Sequence, residues 1–255
     1  MIRCLCLHGN FGAPSDWALV EHALKRTFRE VECVCPDLWS LGRESWRREL
    51  GEIYAAVKER GGRTVVIGYS LGARLALDML GEAVGREAPD TVRFGGEGVI
   101  ACSVNPGIRA AADREARRAV DARWGAQLRD RTVPLDDILA AWGAQPVFSG
   151  AVGRAPPRFT STEAEARFRA VVADRFIDWS VGALPTSWDK LQMAETPVWC
   201  LAGERDTAFT THLEGIRRLG NPHVVTAIVP GGSHRFPFEA PDRFAGAIAT
   251  FLQPG

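Results

Sequence analysis

The chain of 255 residues predicts an α/β protein, a mostly parallel sheet of about six strands flanked by helices and carrying an inserted helical cap. Three observations carry that reading. Short apolar runs of strand length recur at 2–7, 31–35, 64–68, 98–102, 196–202 and 223–229. Helix-periodic segments at about 15–29, 43–60, 71–84 and 240–252 separate most of them, and such alternation is the pattern of a parallel sheet covered on both faces. Between Cys102 and Thr196 the rhythm stops: the stretch is rich in Arg and Ala, helix-patterned at 109–130 and 163–182, and broken by Pro134, Pro146, Pro156, Pro157 and Pro185. So long a segment demands its own structure, so residues 106–192 are expected to form the cap, with 1–105 and 193–255 as the two parts of the core. Insertions at the carboxyl ends of parallel strands are where such folds build their sites. No internal repeat is present.

The first strand, Ile2 to Leu7, runs into a glycine-rich loop, His8-Gly9-Asn10-Phe11-Gly12. It opens as a core strand with no charged leader or cleavage site before it, and no run of 18 apolar residues follows anywhere. Lys plus Arg and Asp plus Glu both total 31, so charge gives no reason to expect a nucleic acid or an anionic membrane as partner. The cysteines (Cys4, Cys6, Cys33, Cys35, Cys102 and Cys200) all lie in apolar strand-like runs and are expected as buried, reduced thiols, which points to the cytoplasm. The two Cys-x-Cys pairs would suggest a metal only if their strands were neighbours. They lack the turn and the histidines of a zinc loop, so no metal is expected.

The third strand carries the chemistry. Thr64 to Ile67 is a β-branched run that meets Gly68-Tyr69-Ser70-Leu71-Gly72, and a helix pattern begins at once. A Gly-x-Ser-x-Gly motif between strand and helix is a nucleophile elbow: the sharp turn lifts the serine hydroxyl above the sheet edge, and the glycines let strand and helix cross closely. The helix N-terminus also favours developing negative charge.

A serine hydroxyl needs an imidazole to take its proton, and the imidazole needs a carboxylate to fix its tautomer. Among His8, His22, His212, His223 and His234, only His234 sits in a loop directly after the last strand and before the final helix. Asp206 closes the strand exit Gly203-Glu204-Arg205-Asp206, with Glu204 as the competing carboxylate and a helix N-cap as an ordinary role for Asp206. Ser70, Asp206 and His234 are thus the expected triad. The oxyanion hole should combine the N–H of Leu71 with that of Asn10, or of Phe11 if the loop is shifted, and His8 is expected to be structural.

Together these features resemble the α/β-hydrolase superfamily across the whole chain. There the His-Gly strand commonly follows two others, whereas here it opens the chain, so the sheet should be a trimmed one of six strands with 31–35 at an edge. Arg74 interrupts an otherwise apolar helix one turn after Ser70, from where its guanidinium can reach the pocket or pair with Asp78. At this point the chain looks like the 2-succinyl-6-hydroxy-2,4-cyclohexadiene-1-carboxylate synthase family of menaquinone biosynthesis. That family carries Gly-Tyr-Ser-Leu-Gly-Gly-Arg at the elbow, matched here by Gly68 to Arg74. Its Pro-Gly turn and Arg-rich helix are matched by Asn105-Pro106-Gly107, Arg114, Arg117, Arg118 and Trp124. Its cap motif is matched by Trp142 and Gln145-Pro146-Val147-Phe148, and its acid turn by Gly203 to Asp206 with Phe209.

The resemblance implies Arg74, Arg117 and Arg175 as binders of substrate carboxylates, Trp142 and Phe148 as the cap side of the pocket, and Tyr69 beside the serine. It implies a cofactor-free lyase that eliminates pyruvate from a polycarboxylate enolpyruvyl intermediate, with the triad acting as base, in a monomer or small homo-oligomer. The alternative is a carboxylesterase or related acyl hydrolase working through an acyl-serine. Two departures bear on the substrate: Asn10 stands where the family usually has Phe, and Asp37-Leu38-Trp39-Ser40-Leu41-Gly42 replaces Asp-Leu-Pro-Gly-His-Gly, so Trp39 is expected to alter one pocket wall.

Overall fold

Strands and helices alternate through the computed structural model, which describes residues 1–81, 98–151 and 157–252. In chain order they are β1 (Ile2–Leu7), α1 (Ala18–Thr27), β2 (Val31–Val34), α2 (Trp46–Glu59), β3 (Arg63–Tyr69), α3 (Leu71–Asp78), β4 (Val99–Cys102) and α4 (Ala111–Arg129). There follow α5 (Leu135–Gly143), α6 (Thr162–Asp178), α7 (Trp188–Gln192), β5 (Val198–Gly203), α8 (Thr207–Arg217), β6 (Val224–Val229), α9 (Phe236–Glu239) and α10 (Pro241–Leu252). The six strands form one sheet in the order β2-β1-β3-β4-β5-β6, with every neighbouring pair parallel and β2 at an edge.

Both faces of the sheet are covered, which is why its strands read as unbroken apolar runs. Leu5, Leu7 and Val66 enter a core shared with Leu50 of α2, Leu75 of α3 and Val172 of α6. The alternate residues Cys4, Cys6, Val65 and Ile67 pack on the other side against Val20 and Leu24 of α1 and Phe244 and Ile248 of α10. β1 pairs with β2 on one flank and β3 on the other, so strand order reverses at β1. Leu7 is registered with Gly68, which brings the His8–Gly12 loop beside Ser70 at the reversal, where open parallel sheets bind their ligands.

The expected strands all form, with ends shifted by a residue or two. The helical segment expected at 15–29 divides into a 3-10 turn, Pro14–Trp17, and α1. That expected at 163–182 stops at Asp178: the chain then turns through Ser180, whose carbonyl accepts from the Ala183 N–H at 2.9 Å, and Gly182 presses on α4, where a Cβ would lie 2.5 Å from the Arg114 carbonyl oxygen. Pro156 and positions 82–84 of the third helical segment lie outside the described residues. Between β4 and β5 the described residues contain only helices and turns, and α5, α7 and α9 were not anticipated, whereas α8 begins where an N-cap role for Asp206 implies a helix. Proline explains α5, since Pro134 sits at its N-cap, where proline starts a helix as readily as it breaks one.

All six cysteines carry free thiols. Cys33 and Cys35 depart from the expectation of burial: Cys33 lies on the edge strand β2 and Cys35 just past its end, and both are half-buried. The two Cys-x-Cys strands are in fact neighbours, with Cys4 registered against Cys33, yet among the described residues no group of His, Cys, Asp or Glu is placed to hold a metal ion. No described helix is long and apolar enough to cross a membrane.

Candidate active site

Ser70 joins β3 to α3 with φ 51° and ψ −106°, a conformation that L side chains rarely adopt. The surroundings impose it. The Ser70 N–H donates to the Cys102 carbonyl at 2.9 Å, fixing the turn against β4. A Cβ on Gly68 would lie 2.5 Å from the Ala73 Cα, and one on Gly72 would strike the Leu7 and His8 carbonyls, so only glycine permits this crossing of strand and helix. Strain held in this way presents the hydroxyl at the carboxyl edge of the sheet.

His234 Nδ1 lies 2.7 Å from Asp206 Oδ2, and its Nε2 lies 3.4 Å from Ser70 Oγ. Both His234 and Asp206 are buried. The second distance is long for a hydrogen bond, and catalytic contacts of this type shorten when substrate is engaged. Asp206 does stand at the N-cap of α8, but its side chain makes no capping bond and is directed to the histidine instead. Glu204 accepts from the Gly231 N–H at 2.7 Å and lies on the exposed side of the turn, which separates it from His234. A residue not singled out in the sequence, Ser103, donates from Oγ to the His234 carbonyl at 2.9 Å and anchors the histidine loop. Its only trace in the sequence is its place just after β4, where φ is 49°. Phe209, Phe148 and Tyr69 surround the imidazole, with ring centroids 4.5, 5.4 and 5.5 Å away, and these apolar walls keep the local dielectric low.

Leu71 is the first residue of α3, so its N–H has no acceptor within the helix and sits at the positive end of the helix dipole. Asn10 lines the same cavity as Ser70. Phe11 turns with φ 53° and buries its ring against Trp142 and Phe176. His8 is fully buried below the loop, where Nε2 accepts from the Leu38 N–H and Nδ1 meets the Gly9 carbonyl, each at 3.0 Å.

Above the serine is a cavity of about 300 Å³, with Trp142 and Phe148 on its far side. Arg74 and Arg117 both reach it. Arg74 does not pair with Asp78, whose carboxylate is held by Arg47 at 2.6 Å and Lys190 at 3.8 Å. Its guanidinium donates to the Trp179 carbonyl at 2.8 Å, and among the described residues no carboxylate forms an ion pair with it. Burial, and then the nearby charge of Arg117, push the Arg74 pKa down to about 10, with Asp121 opposing. Arg117 is paired with the buried Asp121 at 2.8 Å.

Three further expectations meet a different placement. Arg175 lies away from the cavity: it donates to the Leu41 carbonyl and rests over the Trp179 ring, 4.9 Å from the centroid. Tyr69 adjoins Ser70 as expected of its position but is wedged between His234 and Phe238 and is not among the residues lining the cavity, and burial raises its hydroxyl pKa. Trp39 is a buttress instead of a wall, since its Nε1–H donates to the Gly12 carbonyl at 2.7 Å and its ring stacks on Trp179. Asn105, Phe209 and His212 do line the cavity. His212, which does not follow the last strand as His234 does, lies three residues from Phe209, so both fall on one face of α8.

The alpha/beta hydrolase family model matches residues 4–247. The 2-succinyl-6-hydroxy-2,4-cyclohexadiene-1-carboxylate synthase of Serratia proteamaculans is 30% identical over 98% of this chain and 92% of that protein. Its counterpart in Pectobacterium atrosepticum is 28% identical over 97% of this chain and 92% of that protein. Among solved structures, MenH from S. aureus superposes with a TM-score of 0.75 at 21% identity, over 98% of this chain and 92% of that one. By this relationship along the full chain, the protein belongs to the alpha/beta hydrolase family and, within it, to the family of the 2-succinyl-6-hydroxy-2,4-cyclohexadiene-1-carboxylate synthases.

Proposed function

We propose that this protein is a cofactor-free lyase of menaquinone biosynthesis, eliminating pyruvate from an enolpyruvyl intermediate that carries several carboxylates. The observation that carries this reading is Arg74, a permanently charged group beside the nucleophile with no carboxylate partner among the described residues, next to a second arginine, Arg117. A cation placed in this way is costly unless a ligand supplies the anion, and guanidinium groups suit carboxylates because they donate two parallel bonds. A neutral ester gives no such return.

In the proposed reaction the substrate carboxylates dock on Arg74 and Arg117. Ser70, its proton passed to His234 Nε2, takes the acidic proton from a carbon next to a substrate carbonyl. Charge moves to the carbonyl oxygen, where the N–H groups of Leu71 and Asn10 receive it. The electron pair then breaks the bond to the enolpyruvyl oxygen, and the leaving group regains a proton from His234 to appear as pyruvate. Asp206 holds the imidazole in its working tautomer throughout. Ser70 forms no covalent bond to substrate, which distinguishes this scheme from acyl transfer. Quenching the protein during turnover and weighing it intact should show unmodified Ser70; an acyl adduct on Ser70 would make the protein an acyl hydrolase.

A further inference from the structure

A second cluster of reactive groups lies on the opposite face of the sheet. β1 and β2 are parallel neighbours with Cys4 opposite Cys33, and alternate residues share a face, so Cys4, Cys6, Cys33 and Cys35 all pack in the layer beside α1. The register sets Cys4 and Cys33 side by side, with Cys6 and Cys35 one step along on the same face. Cys6 donates to the Cys4 carbonyl at 3.7 Å. Access is unequal, for Cys4 and Cys6 are fully buried while Cys33, on the edge strand, and Cys35, just past its end, are half-buried.

We propose that Cys33 and Cys4 form a reversible, peroxide-sensitive dithiol in which Cys33 is the attacking thiol and Cys4 the resolving one. Directly paired residues on adjacent strands have Cα atoms about 4.8 Å apart, inside the range of roughly 4.4–6.8 Å that a disulfide spans. Cys33 is poised for the first step. Hydrogen bonds from Cys4 and Cys6 lower its pKa to about 5, with Lys25 of α1 adding to them, while burial and Glu21 oppose. Cys4 is held well above the ordinary thiol range, first by its bond to Cys33 and then by burial, so it stays protonated until Cys33 has reacted. None of these groups serves the serine site. The flat four-thiol array also differs from the tetrahedral cage that zinc demands.

The chemistry balances with a peroxide as oxidant. The Cys33 thiolate attacks one peroxide oxygen, the O–O bond breaks and hydroxide leaves, giving a sulfenic acid. The sulfur of Cys4 then attacks the Cys33 sulfur and the S–O bond breaks. Its thiol proton leaves with the oxygen, so that two thiols and one hydrogen peroxide become one disulfide and two waters. An external dithiol restores both thiols by exchange.

The test treats the full chain with stoichiometric hydrogen peroxide near neutral pH, blocks remaining thiols with a maleimide and maps peptides by mass spectrometry. A Cys4–Cys33 cross-link that dithiothreitol reverses, formed also in Cys35→Ser but not in Cys33→Ser, is the expected result. Should Cys33→Ser fail to fold, maleimide labelling of the wild type still decides: Cys33 should react first, down to acidic pH, while Cys102 and Cys200 stay unlabelled. Cys33 left as a free thiol after peroxide, Cys33 driven to sulfonic acid with Cys4 intact, or zinc retained at one per chain would each overturn the proposal.

Discussion

Replacing Arg74 with leucine tests the substrate-binding role through a quantity the structure supplies. The fall of the Arg74 pKa from 12.5 to about 10 corresponds to about 3 kcal/mol of unfavourable surroundings for the charged guanidinium. A substrate carboxylate offsets that cost, so removing the cation should forfeit a similar amount and lower kcat/KM about 100-fold. The loss should fall mainly on KM, because the contact is made in ground state and transition state alike. Folding stability should respond differently. The leucine variant loses the donor to the Trp179 carbonyl, about 1 kcal/mol, but also sheds a buried cation that lacks a carboxylate partner among the described residues, so Tm should stay within a few degrees of wild type. Arg74→Lys keeps the charge without the planar fork and should recover part of the activity. The assay is pyruvate release coupled to lactate dehydrogenase across a range of substrate concentrations, beside calorimetry on the same samples. A kcat/KM within about twofold of wild type would refute the reasoning. So would a collapse of Tm that accounts for the lost activity, since the arginine would then be structural.

Other perturbations separate the roles of neighbouring groups. Asp206→Asn should lower kcat by about 10³–10⁴-fold with KM little changed, because the imidazole loses its tautomer while the arginines remain; steady-state kinetics reads both. Glu204→Gln should leave kcat/KM unaltered in the same assay, since that carboxylate bonds Gly231 rather than His234. Gly72→Ala should yield little soluble protein, because the added methyl meets the Leu7 and His8 carbonyls, and a normal melting curve would contradict the close crossing. Burial holds the His212 pKa below the ordinary imidazole value, so the unfolded chain takes up the proton first and stability drops as pH falls through about 6.5. His212→Leu should flatten the decline of Tm on the acid side, and parallel curves for the two proteins would count against it.

The strands, the elbow and the meeting of Asp206 and His234 beside Ser70 were legible because each is written locally. Thr64 to Ile67 ends in glycines whose absence of side chains is a steric requirement, and Asp206 and His234 each follow a strand directly. The choice between Asp206 and Glu204 rested on position in the turn; the structure places Asp206 Oδ2 2.7 Å from His234 Nδ1 and Glu204 on the Gly231 N–H. What local pattern does not carry is which way a long side chain points once helices pack. Arg74 and Arg175 look alike in sequence, yet one enters the cavity and the other caps the Leu41 carbonyl. Trp39 reads as a substitution in a pocket loop, but its indole N–H is drawn inward by the Gly12 carbonyl. His212 follows no strand directly, so the local pattern that picks out His234 does not pick it out. The Cys4–Cys33 pairing depends on strand neighbours, which the order of elements along the chain does not state.

The central claim is that Ser70 works as a base on an anionic substrate held by arginine. Its most direct test is the rate of pyruvate release from the enolpyruvyl intermediate by wild type and Ser70→Ala, run beside hydrolysis of a short p-nitrophenyl ester. Rapid release that disappears in Ser70→Ala, with ester hydrolysis slow by comparison, is the predicted result. Brisk ester hydrolysis without pyruvate release would contradict the lyase account and make the protein an esterase.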